Sequence, residues 1–175
     1  MAHTTTTTAQ PYTVLPTTPA TLHQKLGAYC VAWERTVLNA MRGLLGQAYE
    51  GGSYEIRQYL NGAIAMVLPE EGPKSVIVLG HNAEEITLEA ASFVANLIAF
   101  SACNATAFEN DDAEGNQTLH DLYFALKNAV SGRYDFVIDA NAPEGTRPLN
   151  EAEMAKVLVE VKPHPESDAI LRFID

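Results

Sequence analysis

Apolar residues recur at helical spacing in several separate stretches of the 175-residue chain. The first stretch predicts a helix over residues 32–47. A second, over residues 88–100, is apolar on nearly every side, which is typical of a buried central helix. Further amphipathic helices are predicted after residue 119, after Asn150 and at the C-terminus. Asn150 with Glu153 is close to a capping box, which supports a helix start there.

Between the first two helices the pattern becomes that of β-strands. Residues 53–59 are rich in aromatic and β-branched side chains, and Asn61-Gly62 follows as a two-residue hairpin signal that needs positive φ at both positions. Residues 63–68 and 75–79 predict the second and third strands of one antiparallel meander. The expected fold is therefore α+β, a single compact domain in which a small antiparallel β-meander packs with about four to five helices.

Domain organisation follows from composition. Residues 1–20 are dominated by Thr and Pro without apolar periodicity, and they predict a flexible arm. Residues 21–175 fit one domain without repeats. No stretch has the length of a membrane span, and the N-terminus lacks a basic-then-apolar signal. Cys30 and Cys103 have apolar neighbours, as buried free thiols do, so we expect a cytoplasmic protein.

Charge is unevenly distributed along the chain. The formal net charge is −11, with +2 over residues 1–48 and −13 over residues 49–175. A negative field of this size repels phosphate backbones, so we expect no direct nucleic-acid binding. Two interpretations remain: the charge serves solubility, or it forms a negative surface for a protein that itself binds DNA.

Common catalytic and cofactor motifs are absent from the sequence. It contains no phosphate-binding loop, no dinucleotide fingerprint, no zinc-protease motif and no nucleophile elbow. His81 with Glu84 and Glu85 suggests a metal corner, but a solvated turn before a helix explains these residues. We therefore expect no metal, no cofactor and no catalysis.

One nucleophilic arrangement is kept as an alternative. Cys103 would need a base within hydrogen-bonding distance, and His120-Asp121 is the pair that offers one. This alternative makes the protein a small cysteine-dependent hydrolase. The competing interpretation is a packed core thiol and a surface His-Asp pair.

Two consecutive segments carry a family resemblance. VAWERTVLNAMRGL (residues 31–44) and YEGGSYEIRQYLNGAIAMVLP (residues 49–69) resemble signature segments of the ArdB/KlcA antirestriction family. The motif positions matched in the second segment are Tyr49, Gly51, Gly52, Asn61, Gly62, Met66 and Pro69. The central apolar helix, the later helix LHDLYFALKNAV and the ending HPESDAILRFID are also similar. The chain resembles a divergent member: Tyr54 stands where the family usually has Trp, and residues 131–162 are interpreted as an insertion.

The resemblance implies an interaction protein that inhibits host type I restriction enzymes and so protects incoming mobile DNA. The expected partner is a type I restriction enzyme complex, whose DNA channels must be basic. Candidate contact residues are carboxylates of an acidic loop and of the C-terminus: Glu109, Asp111, Asp112, Glu114, Asp168 and Asp175. DNA mimicry and block of a later step such as translocation are both open, and the modest charge density favours the second. An orphan domain that keeps the fold without the activity is a further alternative.

Overall fold

The computed structural model describes residues 12–69, 74–138, 148–158 and 161–175. Five strands are present in this part of the chain: β1 Tyr12–Leu15, β2 Glu55–Tyr59, β3 Ile64–Val67, β4 Ser75–Leu79 and β5 Asn82–Ile86. The α-helices are α1 Pro19–Leu26, α2 Cys30–Leu45, α3 Leu88–Glu109, α4 Ala113–Ser131, α5 Glu151–Leu158 and α6 Ser167–Arg172. Short 3₁₀ turns at Gly27–Tyr29 and Gly46–Ala48 follow α1 and α2. The predicted α+β class is confirmed.

Helix α3 forms the centre of the core. Its side chains are buried on nearly every side because α2, α4 and α6 pack around it. Thr87 caps its start by accepting the Ala90 N–H at 3.1 Å. The helix continues to Glu109, beyond the predicted end near residue 100, because Cys103 and Ala107 extend the buried face. It is long and apolar enough to cross a membrane, but 61% of its apolar window is buried inside the protein, as befits a core helix.

The first sheet corrects the predicted flexible arm. Strand order is β1-β2-β3, all antiparallel, and Tyr12 of β1 lies opposite Tyr59 of β2. Residues 12–20 are therefore a strand and the start of α1, not a flexible segment. Hydrogen bonds to β2 stabilise β1, and the local sequence alone does not predict this strand. Residues 1–11 lie outside the described residues.

The strand predicted as the third of the meander lies in a second sheet. Strand β4 does not continue the first sheet but pairs with β5 in a separate two-stranded antiparallel sheet. Ile77 and Ile86 face the core, whereas Val76 and Val78 on the opposite face are exposed. The prediction missed β5 because its sequence, Asn-Ala-Glu-Glu-Ile, is mostly polar.

The hairpin between β2 and β3 differs from the predicted two-residue turn. The Tyr59 N–H donates to the Ala63 carbonyl at 2.8 Å, which leaves a three-residue loop. Gly62 has φ +82°, but Asn61 does not have positive φ. This arrangement is a three-residue hairpin loop whose last residue is left-handed.

Helix α3 also protects the edge of β3. The Met66 N–H donates to Asn96 Oδ1 at 2.9 Å, and Asn96 Nδ2 donates to the Met66 carbonyl at 2.8 Å. Ser92 Oγ accepts the Leu68 N–H at 3.0 Å. These buried side chains satisfy the backbone groups that an edge strand would otherwise leave open.

The C-terminal third confirms the predicted capping box. Asn150 Oδ1 accepts the Glu153 N–H at 2.9 Å, and the Glu153 carboxylate accepts the Asn150 N–H at 2.9 Å. After α4, Ile138 forms an isolated antiparallel bridge with Pro148. The interpretation of residues 131–162 as an insertion stays a prediction, and residues 139–147 and 159–160 lie outside the described part of the chain.

Candidate functional site

The predicted acidic loop consists of residues 110–112, which join α3 to α4. Glu109 is the last residue of α3, and Glu114 lies in the first turn of α4. Asp111 adopts a left-handed conformation with φ +55°. Asp112 caps α4, because its carboxylate accepts the Gly115 N–H at 2.9 Å. Asp112 therefore has a structural role, whereas Glu109, Asp111 and Glu114 are exposed and have no ion-pair partner among the described residues.

An exposed aromatic residue accompanies this acidic end. Phe108 is 75% exposed and lies directly before Glu109. It lines a shallow depression with Asp111, Asp112 and Asn116. Phe108 could not be recognised as a surface residue from the sequence, because an apolar residue near a helix end is normally assigned to the core.

The two C-terminal carboxylates lie apart from the acidic end. Asp168 is exposed in the first turn of α6. Asp175 forms an ion pair with Lys127 near the C-terminal end of α4. Ala113 and Lys127 are separated by roughly 20 Å along the helix axis. The structure therefore does not gather all six predicted contact residues on one patch, and the charge of Asp175 is largely compensated.

The family-motif residues have conformational and packing roles. Tyr49 shares a 2.8 Å hydrogen bond with the Tyr54 hydroxyl, and Gly51 has φ +82°. Gly52 is exposed in the segment before β2, Pro69 is half-buried in the segment after β3, and Met66 is buried in β3.

Asn61 does more than shape its turn. Its Nδ2 donates to the Ala125 carbonyl of α4 at 2.7 Å, and its Oδ1 accepts the Ala63 N–H at 3.2 Å. Asn61 therefore attaches the hairpin to α4 through a buried amide.

A pocket of about 370 Å³ lies where β1, β2, the start of α3 and the segment before α6 meet. Its volume is in the range of small-molecule sites, about 300–1,000 Å³. Its lining combines aromatic rings, two cations and two carboxylates: Tyr12, Arg57, Tyr59, Lys74, Thr87, Glu89, Phe93, Ala129, Val130, His164, Pro165 and Glu166.

Arg57 is the central charged residue of this pocket. It is only 4% exposed, yet Nε donates to Glu55 at 3.0 Å and Nη1 donates to Glu89 at 3.0 Å. The Tyr12 ring lies 4.2 Å from its guanidinium carbon, a cation–π distance. Burial alone would lower the pKa of Arg57, but the neighbouring carboxylates raise it overall. The guanidinium is therefore held charged inside the protein.

Glu89 connects Arg57 to the C-terminal segment. His164 Nδ1 accepts the Glu166 N–H at 3.0 Å, so in the neutral ring the proton is on Nε2, 3.6 Å from Glu89 Oε1. The neighbouring His164 and then the Arg57 guanidinium hold the pKa of Glu89 below its ordinary value, although partial burial opposes them.

Glu166 completes the network at the start of α3. Its carboxylate accepts the Thr87 N–H at 3.0 Å and lies 3.5 Å from Lys74 Nζ. The polar side of the pocket is thus built from residues of β2, α3 and the segment before α6. No sequence motif links these residues.

The alternative nucleophile is not assembled. Cys103 is 3% exposed within α3, and burial raises the pKa of its thiol. A catalytic thiol needs the opposite shift. His120 is exposed on α4 and stacks near Phe124, at 4.7 Å between ring centroids.

The residues considered as a metal corner, and interpreted as a solvated turn, lie on or beside the β4–β5 hairpin. His81 and Glu85 are exposed, and Glu84 forms an ion pair with Arg172 at 2.6 Å. Within the described ranges, no group of three or more His, Cys, Asp or Glu residues is placed to hold a metal ion.

No protein-family model and no curated protein matches the sequence. Among the solved structures that match, one is aligned over 95% of this chain and 96% of its own, with a TM-score of 0.62 and 23% sequence identity. It is described by the statement that the KlcA and ArdB proteins "show a novel fold and antirestriction activity against Type I DNA restriction systems in vivo but not in vitro".

A match over nearly the whole of both chains defines the fold class. The protein is a single α+β domain with one buried central helix, α3, and two small antiparallel sheets. The first sheet packs on α3 through β3, and the second packs on α2 and α6. The chain has the KlcA/ArdB fold, in a form whose sequence has diverged to 23% identity. The predicted resemblance is thereby confirmed for the fold.

Proposed function

We propose that the protein is a cytoplasmic antirestriction factor that protects incoming mobile DNA by interfering with a type I restriction enzyme, without catalysis of its own. The observation that carries this proposal is the fold match to KlcA and ArdB over 95% of the chain. The inert environment of Cys103 is consistent with a protein that acts by binding.

The proposed partner is a type I restriction enzyme complex. Such an enzyme must expose basic DNA-binding surfaces, and a domain with a formal charge of −11 is attracted to them. The same charge disfavours direct contact with DNA.

The proposed contact surface is the acidic end, defined as Phe108, Glu109, Asp111 and Glu114. Its three carboxylates are exposed and have no ion pair within the described ranges. Phe108 adds an exposed aromatic side chain next to them. Aromatic anchors surrounded by polar groups are a common composition of interface centres. Asp168 and Asp175 lie apart from this surface, and we assign them at most a peripheral role.

Block of a later step is the favoured mechanism. A DNA mimic occupies the DNA channel, so it would also inhibit a purified enzyme. KlcA and ArdB are described as active in vivo but not in vitro. A net charge of −11 over 175 residues is also sparse beside DNA, which carries one charge per roughly 1.7 Å of axis. We therefore propose interference with a step such as translocation, which leaves DNA binding intact.

The decisive experiment is phage plating. Cells with a type I restriction system are challenged with unmodified phage, with and without the gene, and cells with a type II system serve as the control. We expect a higher plating efficiency only in the type I cells. Unchanged plating against several type I systems would leave the fold without the proposed activity and would favour the orphan-domain alternative.

A further inference from the structure

The pocket beside Arg57 has no role in the proposed function. The acidic end lies at the opposite end of α3, since Glu89 is in the first turn of that helix and Glu109 is its last residue. The helix spans 22 residues, or roughly 33 Å. A ligand of the pocket is therefore a separate question from the restriction-enzyme contact.

Hydrogen-bond donors remain unused in the pocket wall. A guanidinium has five N–H groups, and Arg57 directs one to Glu55, one to Glu89 and one to the Tyr59 hydroxyl. The other two N–H groups have no carboxylate partner among the described residues. Tyr59, 4% exposed, lies beside Arg57, and burial raises the pKa of its hydroxyl, which stays protonated and able to donate.

An acceptor lies next to these donors. Glu89 Oε1 binds Arg57 and faces His164, while its second oxygen has no hydrogen-bond partner among the described residues. The pocket therefore offers adjacent donor and acceptor positions. A ligand that fits them needs an acceptor atom next to an N–H group.

The charge balance favours a neutral ligand. The lining contains two cations, Arg57 and Lys74, and two carboxylates, Glu89 and Glu166. Glu55 adds a further negative charge on Arg57. A carboxylate ligand would bring negative charge to an arginine that is already compensated, and a cation would meet Arg57 itself.

The apolar walls favour a flat ring. Tyr12, Tyr59 and Phe93 form a series with 6.0 Å between successive ring centroids. The His164 ring follows Phe93 at 5.2 Å. Aromatic walls of this kind bind planar rings by stacking and edge contacts.

We propose that this pocket binds a small, neutral, planar heterocyclic amide, in which a ring carbonyl accepts hydrogen bonds from Arg57 and Tyr59 and the adjacent ring N–H donates to Glu89. Such a molecule satisfies the unused donors and the free carboxylate oxygen together. It brings no net charge into a lining that is already balanced.

The probe for this proposal is uracil, which carries a carbonyl beside an N–H in a planar ring. Saturation-transfer NMR with the full chain should show saturable binding with a Kd on the order of 1 mM, typical of a fragment. 1,3-Dimethyluracil keeps the shape and the carbonyls but lacks the N–H groups, and we expect at least about fivefold weaker binding. Benzoate and benzamidine test anionic and cationic ligands of similar size.

Tyr59→Phe is the informative variant, because it removes one hydroxyl and leaves the ring in place. We expect it to weaken uracil about fivefold. Tyr49→Phe is the matched control, since its hydroxyl bonds Tyr54 outside the pocket and its removal should leave uracil binding unchanged. Thermal unfolding of both variants checks that the fold is kept.

Several results would overturn the proposal. Absence of saturable uracil binding up to about 10 mM would exclude the ligand class. Tighter binding of benzoate or benzamidine would show a charged ligand instead. Equal binding of uracil and its dimethyl derivative, or of uracil to Tyr59→Phe and the wild type, would remove the assigned hydrogen bonds.

Discussion

Carboxylates lie at both ends of α3, but their surroundings are opposite in character. At its start, Glu89 is bound by Arg57 and faces His164, and it lies near the positive end of the helix dipole. At its end, Glu109 lies at the negative end of the dipole, where a carboxylate is unfavourable. Asp111 follows in a left-handed conformation that few non-glycine residues adopt.

This difference distinguishes carboxylates that stabilise the fold from carboxylates that can contact a protein partner. Charge at the start of α3 is compensated by buried partners, so it stabilises the fold and is not free for a protein partner. Charge at the acidic end has no such compensation from the described residues and carries a local cost. Residues that the fold does not need, and that cost it stability, are the better candidates for function. Substitutions at the two ends should therefore separate stability from activity.

The largest effect is expected at Arg57. Arg57→Ala leaves Glu55 and Glu89 without their common partner and removes the contact with the Tyr12 ring. We expect the free energy of unfolding to fall by about 3 kcal/mol. Urea unfolding followed by circular dichroism measures the loss.

Arg35→Ala is the matched control for this substitution. Arg35 is exposed on α2, and its loss should change stability by less than about 0.5 kcal/mol. A loss below about 1 kcal/mol for Arg57→Ala would mean that the buried network contributes little, and the contrast between the two ends would fail.

A smaller and pH-dependent effect is expected at Glu89. Its pKa is lower in the folded protein than the ordinary value of 4.5, so its stabilising contribution is complete above about pH 4.5. This contribution is lost as the pH falls through the folded-state pKa. Glu89→Gln should cost about 2 kcal/mol at neutral pH, and its difference from the wild type should shrink in acid.

Urea unfolding from neutral pH down to about pH 3 tests this prediction. Glu34→Gln, which removes an exposed carboxylate of α2, gives the baseline for a general change in net charge. A wild-type-to-Glu89→Gln difference that stays constant across the whole range would contradict the assigned ionisation of Glu89.

Local patterns predicted the helices well. The apolar periodicity located α2 and α3, and the Asn150-Glu153 capping box was visible in four residues. These signals are local, because a helix forms its hydrogen bonds within a few residues. The carboxylates of the acidic end could also be located from sequence, although not the exposure of Phe108 or the capping role of Asp112.

Strand pairing and the pocket could not be predicted in the same way. Strand β1 pairs with a strand more than 40 positions later, and its four residues lie within a Thr- and Pro-rich stretch. The pocket brings together Arg57, Glu89 and His164 from three distant segments. The available signal for the pocket was Arg57, a charged residue inside a strand whose neighbours Ile56 and Tyr59 are buried. It indicates a buried charge but not its partner.

The smallest effect on stability is expected at the acidic end, where the effect on activity should be largest. The triple variant Glu109→Gln, Asp111→Asn and Glu114→Gln keeps the side-chain shapes and changes the formal charge from −11 to −8. Removing charge at Glu109 and placing Asn in the left-handed position each favour the fold slightly, and the change at Glu114 opposes them. The net change should be within about 0.5 kcal/mol.

The plating efficiency of unmodified phage on type I cells then measures the activity of each variant. Protein levels are matched by immunoblotting. We expect the triple variant to lose most of the protection while unfolding like the wild type. The matched control replaces three exposed carboxylates elsewhere, Glu34, Glu50 and Glu85, with their amides, and should keep full protection. Equal loss in both variants would assign the activity to overall charge. Full protection by the triple variant would move the contact surface away from the acidic end, because the uncompensated charge there would then have no role in binding.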